Sequence, residues 1–406
     1  MTATTTSSLF DWKFSLKLAF LYILAKLKFV HGCLPEILRE KLPTGWNNQM
    51  FWIAFKSGGK TTYYEYYCRL KEPKSYKPRV SVAHEFHLTE EQIRGFYESG
   101  YAGPFDLLPP NEMEDLRQYF INSLLKTESK HWSSTHGDFE FDTTDKGCLV
   151  TLWNREVTEG YKKHLIKLRN QIDLHLDDDQ LLNLFKHPAI TERATQLLGP
   201  DLLLWRTKFF EILPGLETKL HQECTWFFSN QQESIVTPED DEALFQLSCW
   251  IALTDANKEN GCMMILPGTH NEIYPIKLEE VTQDSINNMP EFNRDLKIDY
   301  PGKLPQPHYI EMKAGQFYLF TERAIHGSVE NKTDKSRWGL NGRIATTSTR
   351  IYTKRMLEGF HRNNYLKLKN INLDKWRAVL LRGEDRFGYN RYTEKLEKKL
   401  TSASTK

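Results

Sequence analysis

Residues 202–215 read LLLWRTKFFEILPG, and four more runs of the same texture follow: FQLSCWIALTD (245–255), GCMMILPGTH (261–270), HYIEMKAGQFYLF (308–320) and WGLNGRIATTS (338–348). Each is short, rich in aromatic and branched side chains, and closed off by Gly, Pro, Asn or Asp. Runs of this length and composition suit strands better than helices, and strands separated by tight turns indicate a sandwich or barrel. The fold class expected from this region is mainly β with α, a double-stranded β-helix (cupin-like jelly roll) at about 200–350 with helices packed outside one sheet.

Working outward, Thr89-Glu-Glu-Gln92 is a capping box that opens a short helix, with Gly100 as its stop. YAGPFDLLPP reads as a turn-rich connection, residues 111–126 as an amphipathic helix, and 160–200 as mostly helical. Downstream of 351, MLEGFHRNNYLKLKN and DKWRAVLLRGEDR read as a basic helical cover ending in a polar tail. The expected organisation is an N-terminal helical or mixed extension at 1–85, a main domain at 86–350, and a C-terminal helical cover at 351–406.

Near the N-terminus, Lys13, Lys17, Lys26 and Lys28 bracket the apolar run LAFLYILA. That run is too short to span a bilayer, and no small-residue cleavage site follows it. The leading reading is a helix packed on the body of the protein. The second is peripheral membrane contact through residues 10–30. A cytoplasmic protein, with membrane association as the variant, is expected.

Lys+Arg number 54 against Asp+Glu 53, a formal net charge of +1, so no global footprint for a nucleic-acid partner is present. The 10 Trp, 23 Phe and 18 Tyr suit a thick core or a large cavity and exclude a disordered chain. The 6 cysteines lie scattered, with no C-x-x-C, which argues against a disulfide framework or a structural zinc site.

The chemistry concentrates at Leu220-His221-Gln222-Glu223. In a strand, residues i and i+2 face the same way, so His221 and Glu223 present an imidazole and a carboxylate side by side. His326 follows the apolar run QFYLF. Two histidines and one acid on one face of a cation form the facial triad of non-haem iron(II) oxygenases, which leaves positions for a chelating cosubstrate and O2. Arg337 offers a guanidinium that can grip a distal carboxylate, and Ser328 a hydroxyl for the same group. Any one of these histidines, taken singly, is more simply a structural or surface residue.

Three features together then carry a resemblance: LTEEQIRGFYESGYAGPFDLLPPNEM (88–113), the HQE triplet, and LPGTH and AIHGS followed by Arg337 and Arg343. Over about 86–350 the chain resembles the phytanoyl-CoA dioxygenase family, nearest the branch that contains carrier-protein-dependent aliphatic chlorinating enzymes. The resemblance implies Fe(II), with His221, Glu223 and His326 as ligands, and 2-oxoglutarate and O2 as cosubstrates. It assigns Arg337 and Ser328 to the C5 carboxylate of 2-oxoglutarate, and Thr218 and Trp250 to the cosubstrate pocket. Where the chlorinating members carry Ala or Gly, this chain has Glu223, so halide ligation is expected to be blocked and hydroxylation favoured. Most hydroxylating relatives have Asp at that position.

Further candidates are Arg343 at the cosubstrate pocket, with a plain salt bridge as its alternative, and Phe227 in the pocket wall, with an ordinary core aromatic as its alternative. His270 is read as a loop-ordering residue with substrate contact as its second reading. His136-Gly-Asp138 and His84-Glu-Phe-His87 are weaker metal patterns, read as turn and surface sequence. The implied partner is a small-molecule or tethered acyl or aminoacyl substrate, on a carrier protein or on coenzyme A. The alternatives are a related outcome (desaturation, cyclisation or halogenation) or a non-catalytic binding protein of the same fold.

Overall fold

A computed structural model of the protein describes residues 11–35, 42–43, 46–64, 69–126, 170–222, 235–240, 242–274, 276–280, 294–363 and 368–393, together with a few isolated positions and the short strands at 133–134 and 140–141. Ten strands build the body: β1 (Tyr101–Asp106), β2 (Leu202–Ile212), β3 (Thr218–His221), β4 (Gln246–Ala252), β5 (Met263–Ile265), β6 (His308–Ile310), β7 (Gln316–Phe320), β8 (His326–Ser328), β9 (Arg337–Thr346) and β10 (Val379–Arg382). They form a six-stranded sheet, in order β10-β2-β9-β4-β7-β1, and a four-stranded sheet, in order β6-β5-β8-β3. All pairings in both sheets are antiparallel. This is the double-stranded β-helix expected from the sequence.

Period-2 alternation sorts β4 between two cores. Leu247, Cys249 and Ile251 face helices α5 (Asp179–Lys186) and α6 (Pro188–Leu198), where they meet Leu181, Phe185, Ile190 and Ala194. Trp250 and Ala252 face inward, where they pack with Phe320 of the neighbouring strand β7 and with Met263, Ile265 and Ile310 of the opposite sheet. The helices therefore cover the outside of the large sheet, while the space between the sheets is left to the site.

Thr89 caps helix α3 (Glu90–Ser99) with both halves of the box in place, its Oγ1 accepting from the Gln92 amide at 3.1 Å and its own amide donating to Gln92 Oε1 at 2.9 Å. Gly100 closes that helix in the left-handed region. Helix α4 (Pro110–Asn122) matches the start of the expected 111–126 helix.

Two expectations are corrected. YAGPFD is a strand, β1, at the edge of the large sheet, where Pro104 is tolerated because an edge has one unpaired side. Downstream of 351 the described residues form strands rather than a helical cover: His361–Asn363, Leu368–Asn372 and β10, with one π-helical turn at Met356–Phe360. Short basic-apolar runs fit either period, and pairing partners decide. Here β10 finds Leu202–Leu204 of β2, and the buried Trp376 donates its Nε1–H to the Trp205 carbonyl at 3.1 Å.

Helices α1 (Trp12–Lys26) and α2 (Asn48–Ser57) form their own cluster, with Leu18, Leu21, Tyr22 and Ala25 against Met50 and Ala54. Strand Thr61–Tyr64, which follows α2, pairs with Ile276–Glu280. Among the described residues no helix is long and apolar enough to cross a membrane.

Candidate metal and cosubstrate site

Strands β3 and β8 run side by side at the edge of the four-stranded sheet, and their register sets His326 directly opposite His221. The two ring centroids lie 4.3 Å apart. Each ring is held by its own strand: His221 Nδ1 lies 2.7 Å from the Lys219 carbonyl and His326 Nδ1 2.8 Å from the Ala324 carbonyl. A carbonyl only accepts, so each Nδ1 donates its proton there, and in the neutral ring the lone pair then falls on Nε2. That tautomer is the one a metal-binding imidazole needs, and a carbonyl behind the ring is its common support.

Both histidines line a cavity between the sheets. Thr218, Arg337 and Asn341 supply the rest of its polar wall, and Phe210, Ile212, Trp250, Met263 and Phe320 the apolar part. Thr218 and Trp250 both line the cavity that holds the two histidines. Ser328, on β8 with His326, is fully buried; its Oγ accepts the Thr218 amide proton at 2.8 Å, which leaves its own hydroxyl hydrogen to donate.

Arg337, at the start of β9, is 1% exposed. Its Nε and Nη2 donate to the Gly261 carbonyl at 2.9 and 2.6 Å, and its guanidinium carbon lies 5.0 Å from the centre of the Trp250 ring. Burial lowers its pKa to about 10, which still leaves it charged at neutral pH. A buried cation held by one carbonyl and an aromatic face is suited to receive an anion from the cavity. The thiols contribute nothing here: burial pushes Cys262 up to about 11 and Cys249 well above its ordinary value, so both stay protonated.

Of the remaining candidates, Glu223 and Phe227 lie outside the described residues, as does His136-Gly-Asp138. Among the described residues no group of three acidic, histidine or cysteine side chains could hold a metal. His270 is fully buried, its Nε2 donating to the Tyr97 carbonyl at 2.8 Å, so it ties its turn to α3 and does not line the cavity. Arg343 sits further along the inner face of β9, with its guanidinium 5.4 Å from the Trp205 ring, and also does not line the cavity. His84 and His87 are exposed at a short turn. The sequence reading missed Asn341. It lies two strand steps from Arg337, on the same face, with a buried Oδ1 that has no partner among the described residues. Period-2 counting from Arg337 would have found it.

The phytanoyl-CoA dioxygenase (PhyH) family model matches residues 96–339. Phytanoyl-CoA dioxygenase domain-containing protein 1 of Danio rerio is 22% identical over 269 residues, covering 62% of this chain and 87% of its own length. The peroxisomal phytanoyl-CoA dioxygenase of Homo sapiens is 23% identical over 318 residues, covering 73% and 83%. The solved structure of CytC3 with Fe(II) and alpha-ketoglutarate superposes with a TM-score of 0.51 at 23% identity, covering 76% of this chain and 94% of that one.

Proposed function

The chain belongs to the phytanoyl-CoA dioxygenase family, and from that membership we propose that it is an oxygenase dependent on iron(II) and 2-oxoglutarate, acting on an unactivated C–H bond. The observation that carries this reading is the pairing of His221 and His326 at 4.3 Å in a cavity that also holds the buried Arg337. In the proposal His221, His326 and Glu223 hold the metal, and the two described ligands fit it by tautomer and by facing. Bound iron(II) would supply activation of O2, coupled to decarboxylation of 2-oxoglutarate to succinate and CO2.

The protein's own residues do the rest. Arg337 anchors the distal carboxylate of the cosubstrate, with Ser328 donating its hydroxyl hydrogen to the same group and Thr218 holding Ser328 in place. Trp250 covers the guanidinium, and the apolar wall of Phe210, Ile212, Met263 and Phe320 excludes water, which strengthens the carboxylate–guanidinium attraction. Asn341 lines the same space, has an Oδ1 with no partner among the described residues, and is assigned to orienting what binds there.

The outcome proposed is hydroxylation, because in the motif this chain carries Glu223 where the chlorinating members carry Ala or Gly. The substrate class proposed is a small molecule or an acyl or aminoacyl group on coenzyme A or a carrier protein. The test is anaerobic addition of iron(II) and then 2-oxoglutarate, watched for a weak visible absorption band. With O2 and candidate substrates, succinate release and product mass follow. No band and no succinate under any condition would leave a binding protein of the same fold, and a chlorinated product would refute the role given to Glu223.

A further inference from the structure

Helix α1 is apolar on two sides at once. Ser15, Leu18, Leu21, Tyr22 and Ala25 are buried against α2. On the other side Trp12, Leu16, Phe20 and Ile23 are 58, 56, 59 and 60% exposed, and Leu27 just past the helix is exposed with them. At about 100° per residue these five side chains fall within an arc of roughly 80°, a continuous stripe along the helix. The helix cannot roll to bury it. Ser15 Oγ donates to the Phe55 carbonyl at 2.7 Å and Tyr22 Oη to Asn48 Oδ1 at 2.8 Å, while Tyr22 stacks on Phe51 at 4.4 Å. Phe29, 81% exposed, and the exposed Trp52 of α2 add to the apolar surface of the same unit. An exposed apolar surface of this extent marks an interaction site.

The charges around the stripe select its occupant. Lys13 and Lys17 are exposed along one flank, Lys28 is exposed beyond the C-terminal end, and Lys26, on the other flank, donates to the Trp46 carbonyl. From Trp12 to Leu34 there is no acidic residue. Lysine is depleted from protein–protein interfaces, whereas Trp and Phe rimmed by Lys is the composition that settles at a lipid headgroup boundary. A helix of 15 residues is about 22 Å long, short of the roughly 30 Å hydrocarbon core, so it lies in the plane of the surface. We propose that the exposed stripe of α1 docks the protein on an anionic lipid bilayer, with Trp12, Leu16, Phe20 and Ile23 entering the acyl boundary and the lysines meeting the headgroups. This stands apart from the oxygenase reading and does not depend on it.

The test is co-sedimentation of the full chain with phosphatidylcholine vesicles, with and without phosphatidylserine, at low and high salt. Wild type should bind the phosphatidylserine vesicles with a blue shift of tryptophan emission, and salt should weaken the binding. Phe20→Glu with Ile23→Glu should lower partitioning by at least about tenfold. Because both side chains are exposed, the far-UV circular dichroism of that variant should match wild type. Lys13→Gln with Lys17→Gln should lower binding to the anionic vesicles alone. Equal partitioning of the Glu variant and wild type would overturn the proposal, as would absence of binding to either vesicle. A wild-type dimer that the Glu variant dissolves, without vesicle binding, would assign the stripe to a second copy and overturn it as well.

Discussion

Arg337 gives two of its N–H groups, Nε at 2.9 Å and Nη2 at 2.6 Å, to the single carbonyl of Gly261. That carbonyl fixes one edge of the guanidinium and orients the other edge for a ligand. Gly261 sits in the left-handed region at φ +92°, where a Cβ would also press on the Val329 carbonyl at 3.2 Å, so the acceptor's position depends on glycine.

The first prediction follows from that fixed edge. Arg337→Ala should raise the 2-oxoglutarate concentration needed for half-maximal succinate formation by about 10- to 100-fold, the worth of a charge-assisted pair, while iron binding stays intact. Arg337→Lys should recover little, since an ammonium cannot hold Gly261 and a carboxylate in one plane. Unchanged 2-oxoglutarate dependence in Arg337→Ala would move the anchor to Arg343.

Replacing either imidazole tests the metal centre directly. His221→Ala and His326→Ala should each abolish near-stoichiometric iron(II) binding, measured by metal analysis after anaerobic desalting, with the circular dichroism of wild type retained. Full iron occupancy in both variants would remove these residues from the ligand set.

Two glycines on β9 separate the site from the scaffold. A Cβ at Gly339 would lie 2.2 Å from Trp250 Cζ2, on the cavity side, whereas one at Gly342 would lie 2.1 Å from Phe185 Cε1, on the helix side. Gly339→Ala should displace the ring that covers Arg337 and weaken 2-oxoglutarate binding. Gly342→Ala should cost about 1–3 kcal/mol of stability by overpacking, read by urea denaturation, with cosubstrate affinity near wild type. The reverse pattern would contradict this division of the strand.

Acid sensitivity should trace in part to His361. Burial, reinforced by the nearby Arg206 cation, pushes its pKa down to about 3, against about 6.5 for an unfolded histidine. The folded value is depressed, so the unfolded chain takes up the proton first. Stability should therefore fall as pH drops from about 6.5 toward 3, by up to about 1.4 kcal/mol per pH unit from this one group. His361→Phe should flatten the dependence of urea midpoint on pH over that window, with His270, which burial also lowers, supplying part of the residual slope. Identical slopes for the two proteins would assign the acid response elsewhere.

The site was legible where strand alternation or a family motif reached it. Ser328 and His326 share a strand face by counting alone, but the convergence of His221 on His326 needs an inter-strand register that spacing does not encode, and there the resemblance supplied the link. Asn341 was missed because no motif names it, although alternation from Arg337 leads to it. The fold was legible in the central runs, whose aromatic and branched side chains fit a pleated surface. It was not legible at VLLR or YAGPFD, which become strands because β2 and β7 offer them edges. Such partners exist only after the chain has folded, so local composition pointed elsewhere.

The return of β10 to Leu202–Leu204 carries a consequence for how the protein can be cut. The family-matched span stops at residue 339, inside β9 and well before β10. A fragment trimmed to that span would lose the last seven of the ten residues of its second-longest strand and leave most of β2 as a bare hydrogen-bonding rim, with Trp205 stripped of its Trp376 neighbour. Naked rims recruit other chains. The homologous segment is therefore a unit of ancestry but not of autonomous solubility, and the residues past 350 act as a selvedge that keeps the large sheet from fraying into its neighbours.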